Sequence, residues 1–147
     1  MNIVRTNSED ENFVALVKEL DQYLALKDGE EHQFYVEFNK IDGLKHCVVA
    51  YENENPVGCG AIRFFDEDSM EIKRMFVKPE HRKKGIGSKI LSELENWTKE
   101  LGKNSTVLET GKRQEEAVNL YEKTYSPIPN YGQYKTADNS LCFKKML

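Results

Sequence analysis

The first long segment with a regular hydrophobic pattern has the periodicity of a helix. Its apolar positions are Phe13, Leu16, Val17, Leu20 and Leu24. The letters SEDE precede them and match a capping box, with Ser8 as the N-cap and Glu11 three positions later. The pattern therefore predicts a helix that runs to about Leu26 and is stopped by Gly29.

Three segments of strand-like composition follow, joined by short polar turns. The segments His46–Glu52, Val57–Phe65 and Met70–Val77 are rich in β-branched and apolar residues. The turn sequences NENP and DEDS separate them, which predicts an antiparallel meander. A first strand at Asn2–Arg5 is compatible with the pattern. Residues 30–41 fit either a short helix or a strand, and we favour the helix.

The second half of the chain alternates between helical and strand periodicity. Apolar residues after Gly87 predict a helix, and they are Ile90, Leu91, Leu94, Trp97 and Leu101. A strand at Ser105–Thr110, a helix at Gln114–Tyr125, an irregular aromatic loop PIPNYGQY and a closing strand at Ser140–Leu147 come next. This order indicates an α+β (mixed α/β) fold around one central sheet, and the unit Met70–Thr110 should contain a right-handed crossover.

Charge is distributed unevenly along the 147 residues. The net charge is −4, yet the segment from Lys73 to Lys89 holds seven cations and one anion, so it carries +6 and the rest of the chain −10. A nucleic-acid-binding protein usually spreads basic residues over a whole face. One basic spot on an acidic protein instead favours a small anionic ligand, so we expect no nucleic-acid partner.

Cysteine usage and hydropathy narrow the class of protein further. Cys47, Cys59 and Cys142 are an odd number at wide spacing, and no CxxC pair or Cys/His cluster indicates a metal site. We predict buried, reduced thiols in a cytoplasmic protein. No run approaches the roughly 20 apolar residues of a membrane span, and the N-terminus lacks a secretory signal, so we expect no membrane partner.

The sequence HRKKGIGSKIL, residues 81–91, combines the basic charge with two glycines between a strand and a helix. Glycine at such a junction allows consecutive backbone N–H groups to bind an oxyanion at the positive end of the helix. A Walker A loop has different spacing, and a dinucleotide fingerprint would need glycine where Ile90 stands. The pattern that fits is Arg82-x-x-Gly85-x-Gly87.

This motif, together with LETGKRQEEAVNLYEKTY downstream, resembles the GNAT superfamily of acetyl-CoA-dependent N-acetyltransferases. The resemblance runs from about Val48 to the C-terminus. It implies a single domain over residues 1–147, with a mostly antiparallel twisted sheet of six to seven strands flanked by about four helices. It also implies acetyl transfer from acetyl-CoA, without a metal, to a primary amine by direct attack in a ternary complex. The alternative is a non-catalytic acyl-CoA sensor of the same fold.

The resemblance also implies a set of residues that bind the cofactor. Backbone N–H groups from Lys83 to Ser88 would hold the CoA pyrophosphate, and the strand end Met75–Val77 would bind the pantetheine arm. The implied cofactor-binding residues are Met75, Phe76, Val77, Arg82, Lys83, Lys84, Gly85, Ile86, Gly87, Ser88 and Gln114. Three positions depart from the common family pattern. Lys83 replaces a glycine, which is tolerable at negative φ, Gln114 replaces an asparagine, and Thr124-Tyr125 replaces Gly-Phe.

Two residues are candidates for the chemistry itself. The resemblance places Tyr121, of the letters LYEK, near the sulfur as the acid that protonates the leaving thiolate; the alternative is a core tyrosine. A lysine-like amine is mostly protonated at neutral pH, so a base assists, and Glu71 is our candidate. The alternatives are an ordered water as base, or a solvated Glu71 paired with Lys73 or a neighbouring strand. Strand alternation predicts Glu71, Lys73 and Met75 on one face and Met70, Ile72 and Arg74 on the other.

The acceptor amine is not identified by the sequence. The aromatic loop and residues 30–41 are expected to line its side of the site, with Tyr131, Tyr134 and Phe38 as an aromatic wall. A peptide N-terminus, a polyamine, an amino sugar and an antibiotic all fit the pattern. A homodimer is compatible with the resemblance as well.

Overall fold

A computed structural model describes residues 1–28 and 43–147. The prediction of a helix over residues 30–41, and Phe38 within it, lie outside the described residues. Seven strands and three α-helices occur in the part described, so the predicted strand count is confirmed and the helix count is slightly lower than expected. Among these residues no helix is long and apolar enough to cross a membrane.

The elements follow one another in mixed order along the chain. The strands are β1 (Asn2–Thr6), β2 (His46–Glu52), β3 (Asn55–Phe64), β4 (Ser69–Val77), β5 (Ser105–Gly111), β6 (Ser126–Ile128) and β7 (Ser140–Met146). The helices are α1 (Glu11–Asp28), α2 (Ile86–Glu100) and α3 (Glu115–Glu122), with short 3₁₀ turns at Pro79–His81 and Gly132–Tyr134. The strand β6 and the second turn lie where the sequence predicted an irregular loop.

All seven strands form one sheet in the order β1-β2-β3-β4-β5-β7-β6. The predicted antiparallel meander is confirmed, because β2 pairs with β3 and β3 with β4 in antiparallel register. Strands β4 and β5 are the parallel pair, connected through α2. The predicted α+β class with a mostly antiparallel sheet is therefore confirmed.

Apolar side chains on the two faces of the sheet pack against different helices. Helix α1 covers one face and buries Phe13 and Leu16 against Cys47, Cys59 and Phe76. The opposite face packs against α2 and α3, in a second cluster whose members include Ile62, Ile72, Ile90, Leu94 and Tyr121. The helical spacing in the sequence is thus explained by burial of one stripe of each helix.

The predicted N-cap of α1 is wrong by two residues. The helix begins at Glu11, and the Asp10 carboxylate accepts hydrogen bonds from the backbone N–H groups of Asn12 (2.9 Å) and Phe13 (3.0 Å). Asp10 is therefore the N-cap, because its oxygen satisfies two N–H groups of the first turn. Ser8 lies in the preceding turn, where its backbone N–H donates to the Leu44 carbonyl.

The predicted alternation along β4 is correct up to Lys73 and wrong beyond it. Ala61 is opposite Lys73 but Cys59 is opposite Phe76, so β4 contains an extra residue, and Arg74 has a φ of 58°. This β-bulge exchanges the two faces. Met75 packs into the cluster under α2, and Arg74 instead pairs with Asp21 of α1.

Candidate acyl-CoA site

The loop between β4 and α2 presents a run of backbone donors that lack acceptors. Lys83 and Gly85 have positive φ values of 65° and 81°, the local geometry of an anion-binding nest. The first hydrogen bond of α2 runs from the Lys89 N–H to the Gly85 carbonyl at 3.1 Å. The six N–H groups from Lys83 to Ser88 form no hydrogen bond within the part of the chain that the structure describes.

The backbone of Lys83 is left-handed, which differs from the prediction made from the sequence. A lysine at that position was expected to be tolerable at negative φ, and its φ is positive. Glycine is the residue that adopts this region without steric cost, whereas a residue with a Cβ pays roughly 1–2 kcal/mol. The backbone is therefore nest-like although the side chain disfavours it.

Charged side chains surround this loop, and they differ in their exposure and in the protein groups that they contact. The Lys83 side chain is exposed, and Lys84 Nζ lies 4.0 Å from a Glu52 carboxylate oxygen that His81 also contacts at 3.2 Å. Arg82 is different, because its side chain is mostly buried and bonded to protein groups. The exposed lysines and the helix N-terminus together make this loop attractive to an anion.

Next to this loop, the sheet opens between β4 and β5. The two strands are paired at three positions only, ending with Glu71 opposite Val107, although β4 continues to Val77 and β5 to Gly111. On its other edge β4 stays paired with β3 as far as Val77. The strand end Met75–Val77 therefore has one backbone edge that pairs with no strand among the described residues, which suits an extended ligand.

Side chains near this opening are buried or partly buried. The Phe76 ring is buried under α1, Ile86 at the start of α2 is buried in the core on the opposite face of the sheet, and the Gln114 side chain at the start of α3 is half-buried. Gly87 lies against α3, since a Cβ there would lie 3.3 Å from Leu120 Cδ2. The predicted cofactor-binding residues thus come from the end of β4, the loop, and the starts of α2 and α3.

Tyr121 is buried on α3 and faces the central core. Only 4% of its surface is exposed, and its ring packs near Tyr125 and Phe143. Burial, with a smaller contribution from the Glu109 carboxylate, raises its pKa above the usual value of a tyrosine. The described residues supply no hydrogen-bond partner for its hydroxyl.

Glu71 is buried in a polar cluster on the α1 side of β4. Its carboxylate accepts hydrogen bonds from Arg63 Nε on β3 (2.8 Å) and from the Tyr131 hydroxyl (2.6 Å). The expected pairing with a neighbouring strand is found, since Arg63 is its cross-strand partner, whereas the expected solvation is not, since Glu71 is 2% exposed.

Lys73 and Tyr134 complete this cluster. Lys73 Nζ donates to the Tyr134 hydroxyl at 3.3 Å, and desolvation lowers the pKa of the lysine despite the nearby Glu71. Tyr131 and Tyr134 are edge to face with centroids 5.8 Å apart, so two residues of the predicted aromatic wall are adjacent. Asn130 organises their loop by donating to the carbonyls of Tyr134 and Ser140.

Comparison with known proteins identifies the family. The family described as "Acetyltransferase (GNAT) family" matches residues 12–125. The chain belongs to the GNAT acetyltransferase family. This membership confirms the resemblance seen in the sequence and makes the chain an acyl-CoA-dependent acyltransferase by family.

Relatives of this GNAT chain span its whole length. It is 31% identical to an IAA acetyltransferase of Azospirillum brasilense over 150 residues, which cover 100% of this chain and 98% of the relative. A proposed acyl-CoA N-acyltransferase from Klebsiella pneumoniae has a TM-score of 0.82 at 26% identity, covering 99% and 97% of the two chains. A GNAT family acetyltransferase from Elizabethkingia anophelis, solved with acetyl-CoA bound, shares the fold with a TM-score of 0.69 at 17% identity, covering 99% and 97%.

Several contacts of the site were not foreseen from the sequence. These are the contact of Arg63 with Glu71 across the β3–β4 hairpin, and two contacts between residues far apart in the chain, Tyr131 with Glu71 and Glu116 with Arg82. The register of the β3–β4 hairpin would have indicated Arg63, because it lies directly opposite Glu71. The letter sequence carries no comparable signal for the other two contacts.

Proposed function

We propose that this protein transfers an acetyl group from acetyl-CoA to a primary amine by direct attack in a ternary complex. The observation that carries the proposal is the run of six N–H groups, Lys83–Ser88, that have no acceptor among the described residues and lie beside the edge of β4 that no described strand pairs with. An anionic segment and an extended arm, as in CoA, fit these two features together. Membership of the GNAT family supplies the reaction class.

The residues present fit the proposed donor. The N–H groups of Lys83–Ser88 would hold the pyrophosphate, with Lys83 and Lys84 adding charge. The free backbone edge at Met75–Val77 would hold the pantetheine arm, and a backbone N–H there would stabilise negative charge on the acetyl oxygen. Gln114 would contact the cofactor from the start of α3. Acetyl-CoA supplies the acetyl group as an activated thioester.

Tyr121 is proposed as the acid that protonates the departing thiolate. Its buried hydroxyl keeps its proton because burial raises its pKa. The described residues offer that hydroxyl no acceptor, so it is available to a ligand. A proton donor of this kind contributes roughly 10²–10⁴-fold to rate.

Glu71 is proposed to take the proton from the acceptor amine through an ordered water. Both of its oxygens already accept hydrogen bonds, from Arg63 and Tyr131, so the amine cannot approach the carboxylate directly and a water between them is required. An amine of pKa about 10.4 must lose a proton before attack. A buried carboxylate that also attracts the ammonium form is suited to that task.

The experiment is an acetylation assay with acetyl-CoA and a panel of primary amines, with thiol release and product mass as readouts. The panel contains peptide N-termini, polyamines, amino sugars and aminoglycosides. We expect turnover with at least one class. Acetyl-CoA binding without turnover on the whole panel would instead support the sensor alternative.

The assignment of the loop is tested separately with Gly87→Glu. This change places a carboxylate among the N–H donors and against Leu120, so acetyl-CoA binding should be lost. Ser92→Glu adds the same charge at an exposed position further along α2 and should bind nearly as wild type. Full acetyl-CoA binding by Gly87→Glu would overturn the loop assignment.

A further inference from the structure

The arginine of the motif, Arg82, is held by three other parts of the protein. Its Nε donates to the Val77 carbonyl at 2.9 Å, and its Nη1 donates to Glu116 Oε2 at 2.8 Å. Its guanidinium carbon lies 5.0 Å from the centroid of the Tyr23 ring. The Tyr23 hydroxyl reaches the same Glu116 oxygen at 3.4 Å. Arg82 therefore joins the end of β4 to α1 and to the first turn of α3.

The position of Glu116 raises a question about charge. It places a carboxylate beside Arg82, immediately before the loop proposed to bind a pyrophosphate. A negative charge there repels an anionic ligand. The contacts of Arg82 indicate what offsets this repulsion. Glu116 and the Val77 carbonyl fix the direction of the Arg82 side chain, which is only 22% exposed.

We propose that Arg82, Glu116 and Tyr23 form a clamp that positions the cofactor loop against α1 and α3. Arg82 is then a positioning residue, which acts on acyl-CoA through the loop rather than through a contact with phosphate. The clamp fixes the chain just before Lys83 and the first turn of the helix that carries Tyr121. This inference rests on the proposed acyl-CoA site.

The substitution Glu116→Gln distinguishes the two roles of Arg82 by the sign of its effect. If Arg82 binds phosphate directly, the substitution frees the guanidinium and removes a negative charge, so CoA binds more tightly. If Arg82 is part of a clamp, the loop loses its anchor to α3 and CoA binds more weakly. Electrostatics alone and the clamp thus predict opposite changes.

The measurement is the Kd of CoA by calorimetry, with Glu115→Gln as the matched control. Glu115 is the exposed neighbour in the same turn, and it forms no ion pair within the described residues. We expect Glu116→Gln to raise Kd by three- to tenfold, about 0.7–1.4 kcal/mol. Glu115→Gln should leave Kd unchanged or lower it. An equal or tighter Kd for Glu116→Gln would overturn the clamp.

A second measurement does not depend on the cofactor. Urea unfolding of Arg82→Gln, Glu116→Gln and the double variant forms a double-mutant cycle. The clamp predicts that the double variant is no less stable than Arg82→Gln alone, because the Arg82–Glu116 interaction is already lost in Arg82→Gln. Strictly additive losses of stability would overturn the clamp, whether or not the wild type binds CoA. Failure of the wild type to bind CoA would refute the proposed function and not the clamp.

Discussion

At the scale of single residues, Lys83 shows a conflict between backbone and side chain. The loop needs a left-handed φ of 65° at this position, yet the residue there has a Cβ. Gly85, with a φ of 81°, meets the same need without that cost. The cost is local, and its removal by substitution is directly measurable.

We predict that Lys83→Gly raises the free energy of unfolding by about 0.5–1 kcal/mol, because it relieves the left-handed strain. The matched control is Lys84→Gly, which removes the same charge at a residue without positive φ. It should lower the free energy of unfolding by about 0.5–1 kcal/mol, since glycine only gains freedom in the unfolded chain. Urea unfolding checks both, and equal effects would contradict the strain.

Tyr121 and Tyr125 allow a comparison of two buried hydroxyls. The proposed acid role predicts that Tyr121→Phe lowers kcat by about 10²-fold and changes KM for acetyl-CoA little. Tyr125 bonds to Thr106 (2.6 Å) and Glu95 (2.9 Å), so Tyr125→Phe should lower stability by about 1–3 kcal/mol and leave kcat near wild type. Steady-state kinetics and unfolding separate the two, and an unchanged kcat for Tyr121→Phe would refute the role.

The pKa of Tyr121 makes a related prediction about pH. Since burial raises that pKa above the usual value of about 10, the hydroxyl stays protonated as pH rises through the neutral and mildly alkaline range. The kcat–pH profile of the wild type should therefore show no loss of activity from Tyr121 ionisation up to about pH 9. A falling alkaline limb that disappears in Tyr121→Phe would contradict this.

At the scale of elements, the sequence predicted the strands and helices well where hydrophobic periodicity is strong. The segment His46–Glu52 was predicted with its observed bounds, and α1 and α2 follow the predicted apolar stripes, except that Leu101 lies beyond the end of α2 and is exposed. The misses have local causes. The bulge at Arg74 breaks a two-residue period, and β6 is a short strand containing a proline, whose composition resembles a loop.

The start of α1 was mispredicted because two acceptable capping residues stand close together. We predict that Asp10→Ala lowers the free energy of unfolding by about 1 kcal/mol, since two N–H groups lose their acceptor. Ser8→Ala should change it by less than about 0.5 kcal/mol. Chemical unfolding of both variants tests this, and the reverse order would restore Ser8 as the N-cap.

The candidate site could be predicted from the sequence only in part, because local sequence patterns indicate local backbone structure and not distant contacts. A nest-like loop leaves a signature in its glycines and their spacing, and the left-handed φ of Gly85 agrees with the loop predicted there. Contacts such as Tyr131 on Glu71 join residues 60 apart in sequence and depend on the packed fold. The contact between Arg82 and Glu116 also joins distant residues and depends on the packed fold.

At the scale of the whole molecule, all three thiols lie inside the fold. Cys47, Cys59 and Cys142 are free and buried, which confirms the prediction that the three thiols are buried. Burial raises the pKa of Cys47 to about 12 and that of Cys142 to about 11, and it raises the pKa of Cys59 as well. The thiolate, which is the reactive form, is therefore scarce in the folded protein.

We predict that the native protein does not react with a disulfide reagent at about pH 8, where a free thiol is partly ionised. After unfolding in guanidinium chloride, the three cysteines should react fully. Absorbance of the released chromophore measures both states. Rapid reaction of a native thiol would contradict the burial, and it would also interfere with an acetylation assay that counts released CoA.

Within the described part of the chain, the edge of β4 that no strand pairs with and the loop whose N–H groups have no acceptor have a consequence for how this protein can diverge. Both are made of backbone atoms, which every residue except proline supplies. Most substitutions in these segments therefore leave the proposed donor site chemically intact, provided that the local conformation is kept. The side chains of the loop that holds Tyr131 and Tyr134 take no part in the proposed donor site. If the proposed function holds, a lineage built on this plan can acquire new acceptor amines while acetyl-CoA stays the donor.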